Sequence, residues 1–223
     1  MSYDVKSNKA EDFINDEEIL ETLDYAEKHK LNVVCGLCRI INYETKYLKH
    51  YNRKICKKNY ISDFSNRTLL LNDTISTSKL YNLQKLKESN IKFEPGLYED
   101  KYYISKIFEY FDRIGVINKP VYNWYKYGIN SSITTTYNFD NINERLKRMD
   151  EIINISSEKL KPFHVANAIN HELMVFVNNY IHFDEKQKIF NLYRDYFIKY
   201  KEYIYFDTIN KIANKVLIKY ILN

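Results

Sequence analysis

Between Pro95 and Tyr127 the hydrophobic period of this chain switches from helical to extended, and an acidic pair stands where the helical part begins. The turn signal Phe93-Glu94-Pro95-Gly96 leads into Glu99-Asp100. Ile104, Ile107, Phe108, Phe111 and Ile114 then recur at helical spacing, so the pair is predicted in the first turn of a helix starting within a residue or two of Glu99. A β-prone segment, Val116–Asn118, and an aromatic strand, Pro120–Tyr127, follow directly. Upstream, Asn15 or Asp16 is placed to cap a helix running to about Lys30, with Ile19, Leu20, Leu23 and Ala26 on its apolar side. The run Asn32–Ile41 follows it and reads as a buried strand. Helix–strand alternation of this kind predicts an α/β sheet with flanking helices.

A carboxylate heading a helix and backed by a sheet is placed to act as a general base. Acids in a first turn also simply compensate the unpaired, partly positive N–H groups there. The dipeptide alone does not separate the two readings.

The order of pieces over the 57 residues Ser78–Thr134 is more specific. Lys79-Leu80-Tyr81, Ile91-Lys92-Phe93, Gly96, Glu99-Asp100, the stretch Ile117-Asn118-Lys119-Pro120-Val121-Tyr122-Asn123-Trp124, and Ser132-Ile133-Thr134 follow one another. This order resembles the second half of the family-2 glycosyltransferases with the GT-A fold. Those enzymes show a Lys-Leu-Tyr strand, a short helix, an extended stretch ending in Phe and Gly, Glu-Asp heading a helix, an aromatic strand and a Ser-Ile/Leu turn. The resemblance covers about residues 9–139. It implies a partial GT-A-like mixed sheet in residues 1–139, followed by an α-helical region in 140–223.

The resemblance also implies a function. In the family a sugar passes from a nucleotide-sugar donor to a glycan or cell-surface polysaccharide acceptor by an inverting mechanism. By position Asp100 is the implied base and Glu99 its partner, with Trp124 and Tyr122 lining the acceptor site. The family holds a divalent metal, Mn²⁺ or Mg²⁺, on an Asp-x-Asp motif. The corresponding letters here are Lys9-Ala10-Glu11-Asp12, so Glu11 and Asp12 remain as ligand types while Lys9 replaces the first Asp. A lysine ammonium repels a divalent cation, and Lys9 could instead face the diphosphate. A basic residue often found beyond the aromatic strand is Tyr127 here, with Lys126 beside it. Only eight residues precede Lys9, so the nucleotide-binding half of the sheet is expected to be missing from this chain. The alternative is a non-catalytic binding or scaffold module that retains a remnant of the fold.

Composition narrows the remaining classes. Hydrophobic residues make up 45%, enough for a sizeable core. The four glycines, Gly36, Gly96, Gly115 and Gly128, are scattered, which excludes a Gly-rich phosphate loop. A net charge of +5, with both signs interspersed, permits peripheral contact with an anionic membrane surface but argues against a nucleic-acid partner. The Lys- and Tyr-rich stretch Asn42–Asp63 reads as a solvated loop or hairpin, and Phe64–Leu71 as a short helix. No apolar run approaches the length of a membrane span and the N-terminus does not read as a signal peptide, so a cytoplasmic site is expected. Cys35 and Cys38 lie three apart on a predicted strand and so point to opposite faces, which favours core packing over metal or redox use. After Asp140 three helical stretches follow, with Pro162 suited to a first turn and Asp184 to a cap. His164 and His171 lack the spacing of a zinc helix motif. Lys211, Lys215 and Lys219 form a basic stripe on the last helix, opposite its apolar side.

Overall fold

The computed structural model describes residues 14–42, 45, 48–126, 138–179, 185–209 and 212–222. Two compact units interleave along the chain. The first comprises residues 1–64, 77–88 and 113–130, and the second 65–76, 89–112 and 131–223.

The first unit is built on a mixed five-stranded sheet. Helix α1 (Asp16–His29) begins at Asn15, whose side chain accepts the Glu18 N–H at 3.2 Å, and ends at Lys30 in the left-handed region. Strand β1 (Val33–Asn42) is nearly continuous in apolar residues and is the central strand, as a strand covered on both faces must be. It runs parallel to β5 (Ile114–Lys126). On its other edge it pairs antiparallel with β4 (Lys79–Tyr81) through Val33–Cys35 and with β2 (Leu48–His50) through Arg39–Ile41. Strand β3 (Tyr60–Ser62) pairs antiparallel with the start of β5. Helix α1 packs on β5 and β1, and Ala26, Leu31, Val34 and Ile117 form the core beneath it. Helix α2 (Leu83–Ser89) follows β4.

Two details of the sheet depart from the sequence reading. The segments around Val116 and Pro120–Tyr122 belong to one strand, and the ladder slips where they meet: Cys35–Cys38 of β1 faces Val116–Tyr122 of β5. Pro120 falls within this irregular stretch, where a residue without an N–H is tolerated. Gly36 lies opposite, and a Cβ there would stand 2.9 Å from the Lys119 carbonyl oxygen and 2.7 Å from Val121. Second, β2 and β3 arise within the stretch read as a loop or hairpin. Cys35, Cys38 and Cys56 are buried and none is in a disulfide.

Among the described residues no strand lies beside the outer edge of β1 between β4 and β2, and Asn52 fills the gap. Its amide donates to the Gly36 carbonyl at 2.8 Å and accepts from the Cys38 N–H at 3.1 Å. The Gly36 N–H reaches Ser78 O at 3.0 Å, and Tyr51 N–H reaches Cys38 O at 2.9 Å. One side chain thus does the work of a strand segment, and it is 3% exposed.

The second unit is helical. Helix α3 (Glu99–Tyr110) starts at Glu99, as predicted, but Ile114 is not its last turn; it opens β5. The 3₁₀ segment Arg67–Asn72 delivers a fully buried Arg67, which donates to the carbonyls of Phe108 and Asp112 at the end of α3. A cation there complements the negative end of the helix. Helices α4 (Phe139–Ile155), α5 (Lys161–Asn179), α6 (Lys186–Lys199) and α7 (Ile212–Leu222) complete the unit. Their shared core includes Ile142, Met149, Ile152, Ile169, Leu173, Tyr193 and Phe197. Pro162 lies in the first turn of α5; Asp184 and Lys211 lie outside the described residues. No helix among the described residues is long and apolar enough to cross a membrane.

Asn52→Ala leaves a buried donor and a buried acceptor of β1 without partners. It should lower unfolding free energy by about 2–4 kcal/mol in urea denaturation. A loss below about 0.5 kcal/mol, the usual effect of a surface change, would show that the gap in the sheet is filled some other way.

Candidate functional site

The Glu99-Asp100 pair is presented by an unusual turn. Gly96 has φ +127°, a conformation open to glycine. Tyr98, at the N-cap of α3, has φ +60° and makes no side-chain cap hydrogen bond. An N-cap residue ordinarily takes extended dihedrals, and a bulky residue at positive φ is strained. The Tyr98 carbonyl nevertheless accepts the first helical bond, from Lys101 N–H at 3.1 Å. Glu99 is exposed and Asp100 half-buried.

Helix α4 grips this turn. Arg148 donates from Nε to Leu97 O at 3.2 Å and from Nη2 to Pro95 O at 3.1 Å. Its guanidinium also lies over the Tyr102 ring, 5.0 Å from the centroid, and pairs with Glu151 at 2.6 Å. The Tyr98 hydroxyl donates to Asn141 Oδ1 at 3.1 Å. Arg145 lies over the Tyr98 ring at 5.2 Å and reaches its hydroxyl at 3.5 Å.

Behind the turn is a buried charge network. Arg145 makes a two-point contact with Glu172 of α5, Nε to Oε2 at 3.0 Å and Nη2 to Oε1 at 2.8 Å. Their side chains are 5% and 2% exposed. His171 Nδ1 lies 2.8 Å from Glu172 Oε1 and 3.0 Å from Arg145 Nη2. Burial alone would raise the Glu172 carboxyl. The hydrogen bond to His171 and the charge and hydrogen bonds of Arg145 outweigh it and hold the group at about 2. Burial likewise disfavours the Arg145 cation, but Glu172 raises its pKa above the ordinary value. Lys101, next to Asp100 in sequence, is pushed down to about 8 by burial, with Glu172 opposing and Arg145 reinforcing the shift. His164, on α5, is 4% exposed, and its Nε2 has no hydrogen-bond partner among the described residues. Burial, helped by the Lys101 charge, lowers its imidazole to about 4.

The other sequence-derived positions distribute as follows. Tyr122 and Trp124 lie two apart on β5 in the first unit, both half-buried, opposite Cys38 and Ile40 in the ladder. Asn123 between them is buried and accepts from Arg39 Nη1 at 3.3 Å. Arg39 also pairs with Glu18 of α1, so alternation along the strand turns Tyr122 and Trp124 to the other face. Asp100 and Glu99 belong to the second unit. Lys9, Glu11, Asp12, Tyr127 and Ser132-Ile133-Thr134 lie outside the described residues. Among the described residues no cluster of three or more His, Cys, Asp or Glu is placed to hold a metal. Sequence reasoning passed over Tyr98, Asn141, Arg145, Arg148 and Glu172. The signal available for them was the spacing 141, 145, 148, which puts three polar side chains on one face of a helix otherwise facing a core.

His164 gives a sign to the pH dependence. The unfolded imidazole takes up its proton near its ordinary pKa of about 6.5, the folded one only near 4. Between those values the unfolded chain binds more protons, so stability falls as pH drops through that window. From about pH 7.5 to about pH 5, wild type should lose roughly 2 kcal/mol more unfolding free energy than His164→Gln, measured by urea denaturation. Parallel profiles would mean that the His164 imidazole takes up its proton alike in the folded and unfolded chains, so burial does not lower it.

No protein-family model matches the sequence, and no curated protein matches it. Among solved structures the chain is similar to residues 1–349 of TarS from S. aureus, with TM-score 0.64 and 17% identity. The match covers 94% of this chain and 59% of the TarS chain. Identity this low speaks to the fold: a mixed α/β sheet flanked by helices, broadly GT-A-like, with helices at the C-terminal end.

Proposed function

We propose that this chain is a glycosyltransferase-type protein that takes a nucleotide-sugar donor and a glycan or cell-surface polysaccharide acceptor. TarS, whose fold it shares, is a family-2 glycosyltransferase. The observation that carries the reading is the placement of Glu99 and Asp100 at the head of α3, behind a strained turn held by side chains of α4. The order of segments around that pair matches the family's, and the shared fold supports it.

The step is written on the chain's own carboxylate. An alcohol is a weak nucleophile until its proton is removed as it attacks. Asp100 accepts the acceptor O–H proton while that oxygen forms a bond to the anomeric carbon. The bond from that carbon to the donor's phosphate oxygen breaks, and its electron pair leaves with the nucleoside diphosphate. Attack opposite the leaving group inverts the anomeric centre. Glu99, beside it, is open to solvent. Trp124 and Tyr122 offer aromatic faces on which a sugar ring stacks.

Mn²⁺ or Mg²⁺ fits the donor set poorly. The segment Lys9-Ala10-Glu11-Asp12 puts an ammonium where the family has a carboxylate, so no step is routed through a metal. The same substitution favours the second reading, a non-catalytic binding or scaffold module.

The two readings part on one comparison. Nucleoside diphosphate release is measured across a panel of nucleotide-sugars with oligosaccharide acceptors, for wild type and Asp100→Asn. The substitution keeps size and removes the proton acceptor, so turnover should fall by about 10²–10⁴-fold. The thermal midpoint should move little, since a first-turn charge contributes only about 0.3–1 kcal/mol. Equal turnover with a lowered midpoint would reduce Asp100 to a helix-capping charge. No turnover and no calorimetric binding of any donor would favour the scaffold reading. Separately, Lys9→Asp should strengthen Mn²⁺ binding in calorimetry. Equally weak binding by both proteins would show that residues 9–12 are not a metal position.

A further inference from the structure

The turn that presents Glu99 and Asp100 is held against its own preference. Gly96 and Tyr98 both have positive φ, and at a bulky non-glycine residue such a conformation persists only where the surroundings enforce it. The enforcing groups lie along one face of α4. Asn141, Arg145 and Arg148 are 8%, 4% and 8% exposed; the first two meet at the Tyr98 hydroxyl, and Arg148 takes the carbonyls of Pro95 and Leu97. Arg148 takes two carbonyls of the turn at once, a geometry that suits the planar fork of a guanidinium and that an ammonium does not reproduce. The approach is close: a Cβ on Gly96 would lie 2.6 Å from Arg148 Nη2. Arg145 is fixed from behind by Glu172 on α5.

Stability by itself does not call for this arrangement. Taking a guanidinium and a carboxylate out of water is costly, and well-packed apolar side chains of similar volume often hold helices together equally well or better. Hydrogen-bonding groups with fixed direction do something apolar groups do not: they set the dihedrals of a particular loop. That loop is the one leading into the acidic pair.

We infer that Arg148 and Arg145 of α4, with Glu172 of α5 as buttress, are positioning residues for the Glu99-Asp100 turn, so the C-terminal helices are part of the site's machinery. This rests on the glycosyltransferase reading for its catalytic meaning, but its geometric content is tested independently.

The test uses hydrogen–deuterium exchange of the whole chain, wild type against Arg148→Lys and Arg148→Ala. Arg148→Lys keeps the charge and loses the two-carbonyl fork. Exchange of amides 97–103 should speed up roughly tenfold, as expected when charge-assisted hydrogen bonds to a turn are lost, while amides of α5 and α6 keep their wild-type rates. In Arg148→Ala, guanidinium chloride well below denaturing concentration should slow those same amides again. Unchanged exchange at 97–103, or an equal rise throughout the helices, overturns the inference. If Arg148→Ala does not fold, Arg148→Lys carries the test. Where Asp100→Asn lowers turnover, Arg148→Lys should lower kcat with donor KM unchanged, and an unaltered kcat there also overturns the inference. If Asp100→Asn has no effect on turnover, the glycosyltransferase assignment of Asp100 fails, and the exchange data alone decide whether α4 holds the turn.

Discussion

Arg145 and Glu172 have both left water to face each other, and the second unit is arranged around that pair. Each ion alone would be intolerable at that depth, so neither helix can shift without exposing the other's charge to an apolar core. The pair therefore fixes α4 against α5. With α4 fixed, its polar face is fixed too, and Asn141, Arg145 and Arg148 can define a turn that its own sequence does not favour. The chain of cause runs from a buried charge, to helix placement, to backbone dihedrals, to the direction in which Glu99 and Asp100 leave the turn.

The sheet solves a different problem with the same chemistry. Strand β1 is buried on both faces, so every N–H and C=O along both edges needs a partner. Two short strands, β4 and β2, cover the ends of its outer edge, and the Asn52 amide covers the middle. On the inner edge the slip against β5 brings Lys119 and Val121 close to Gly36, where only a residue without a Cβ fits.

Two separate observations bear on the proposed glycosyltransferase reading: the similarity to TarS, which shows the fold, and the acidic pair. One is the path of the backbone. The other is a pair of side chains at a helix start whose approach turn is hydrogen-bonded by side chains of α4. Within that reading, Lys9 stands where the resembled family has an acidic ligand, which pulls against a metal-assisted transfer. What the aromatic pair Tyr122 and Trp124 contributes belongs to the first unit, where β5 presents both from the face opposite Asn123.

The sequence by itself determined what depends on neighbours a few residues away. Asn15 or Asp16 is marked as the cap of α1, Glu99 as the start of α3 and Val33 onward as the buried strand, because caps, helical period and apolar runs are written locally. It was ambiguous where local pattern continued past a real boundary: Ile114 keeps the helical period of α3 yet starts β5, since the Asp112 and Phe108 carbonyls are taken by Arg67 and the helix stops. Asn42–Asp63 reads in the sequence as a loop or hairpin, whereas β2 and β3, three residues each, pair with β1 and β5 and not with each other. The tertiary structure alone decided which charges meet. Arg145 finds Glu172 from 27 residues away, Arg148 finds Pro95 from 53, and Asn52 finds Gly36 from 16. The spacing 141, 145, 148 marks a polar face on a helix, but it does not say what that face meets, because the partner of a buried polar group is chosen by packing and desolvation.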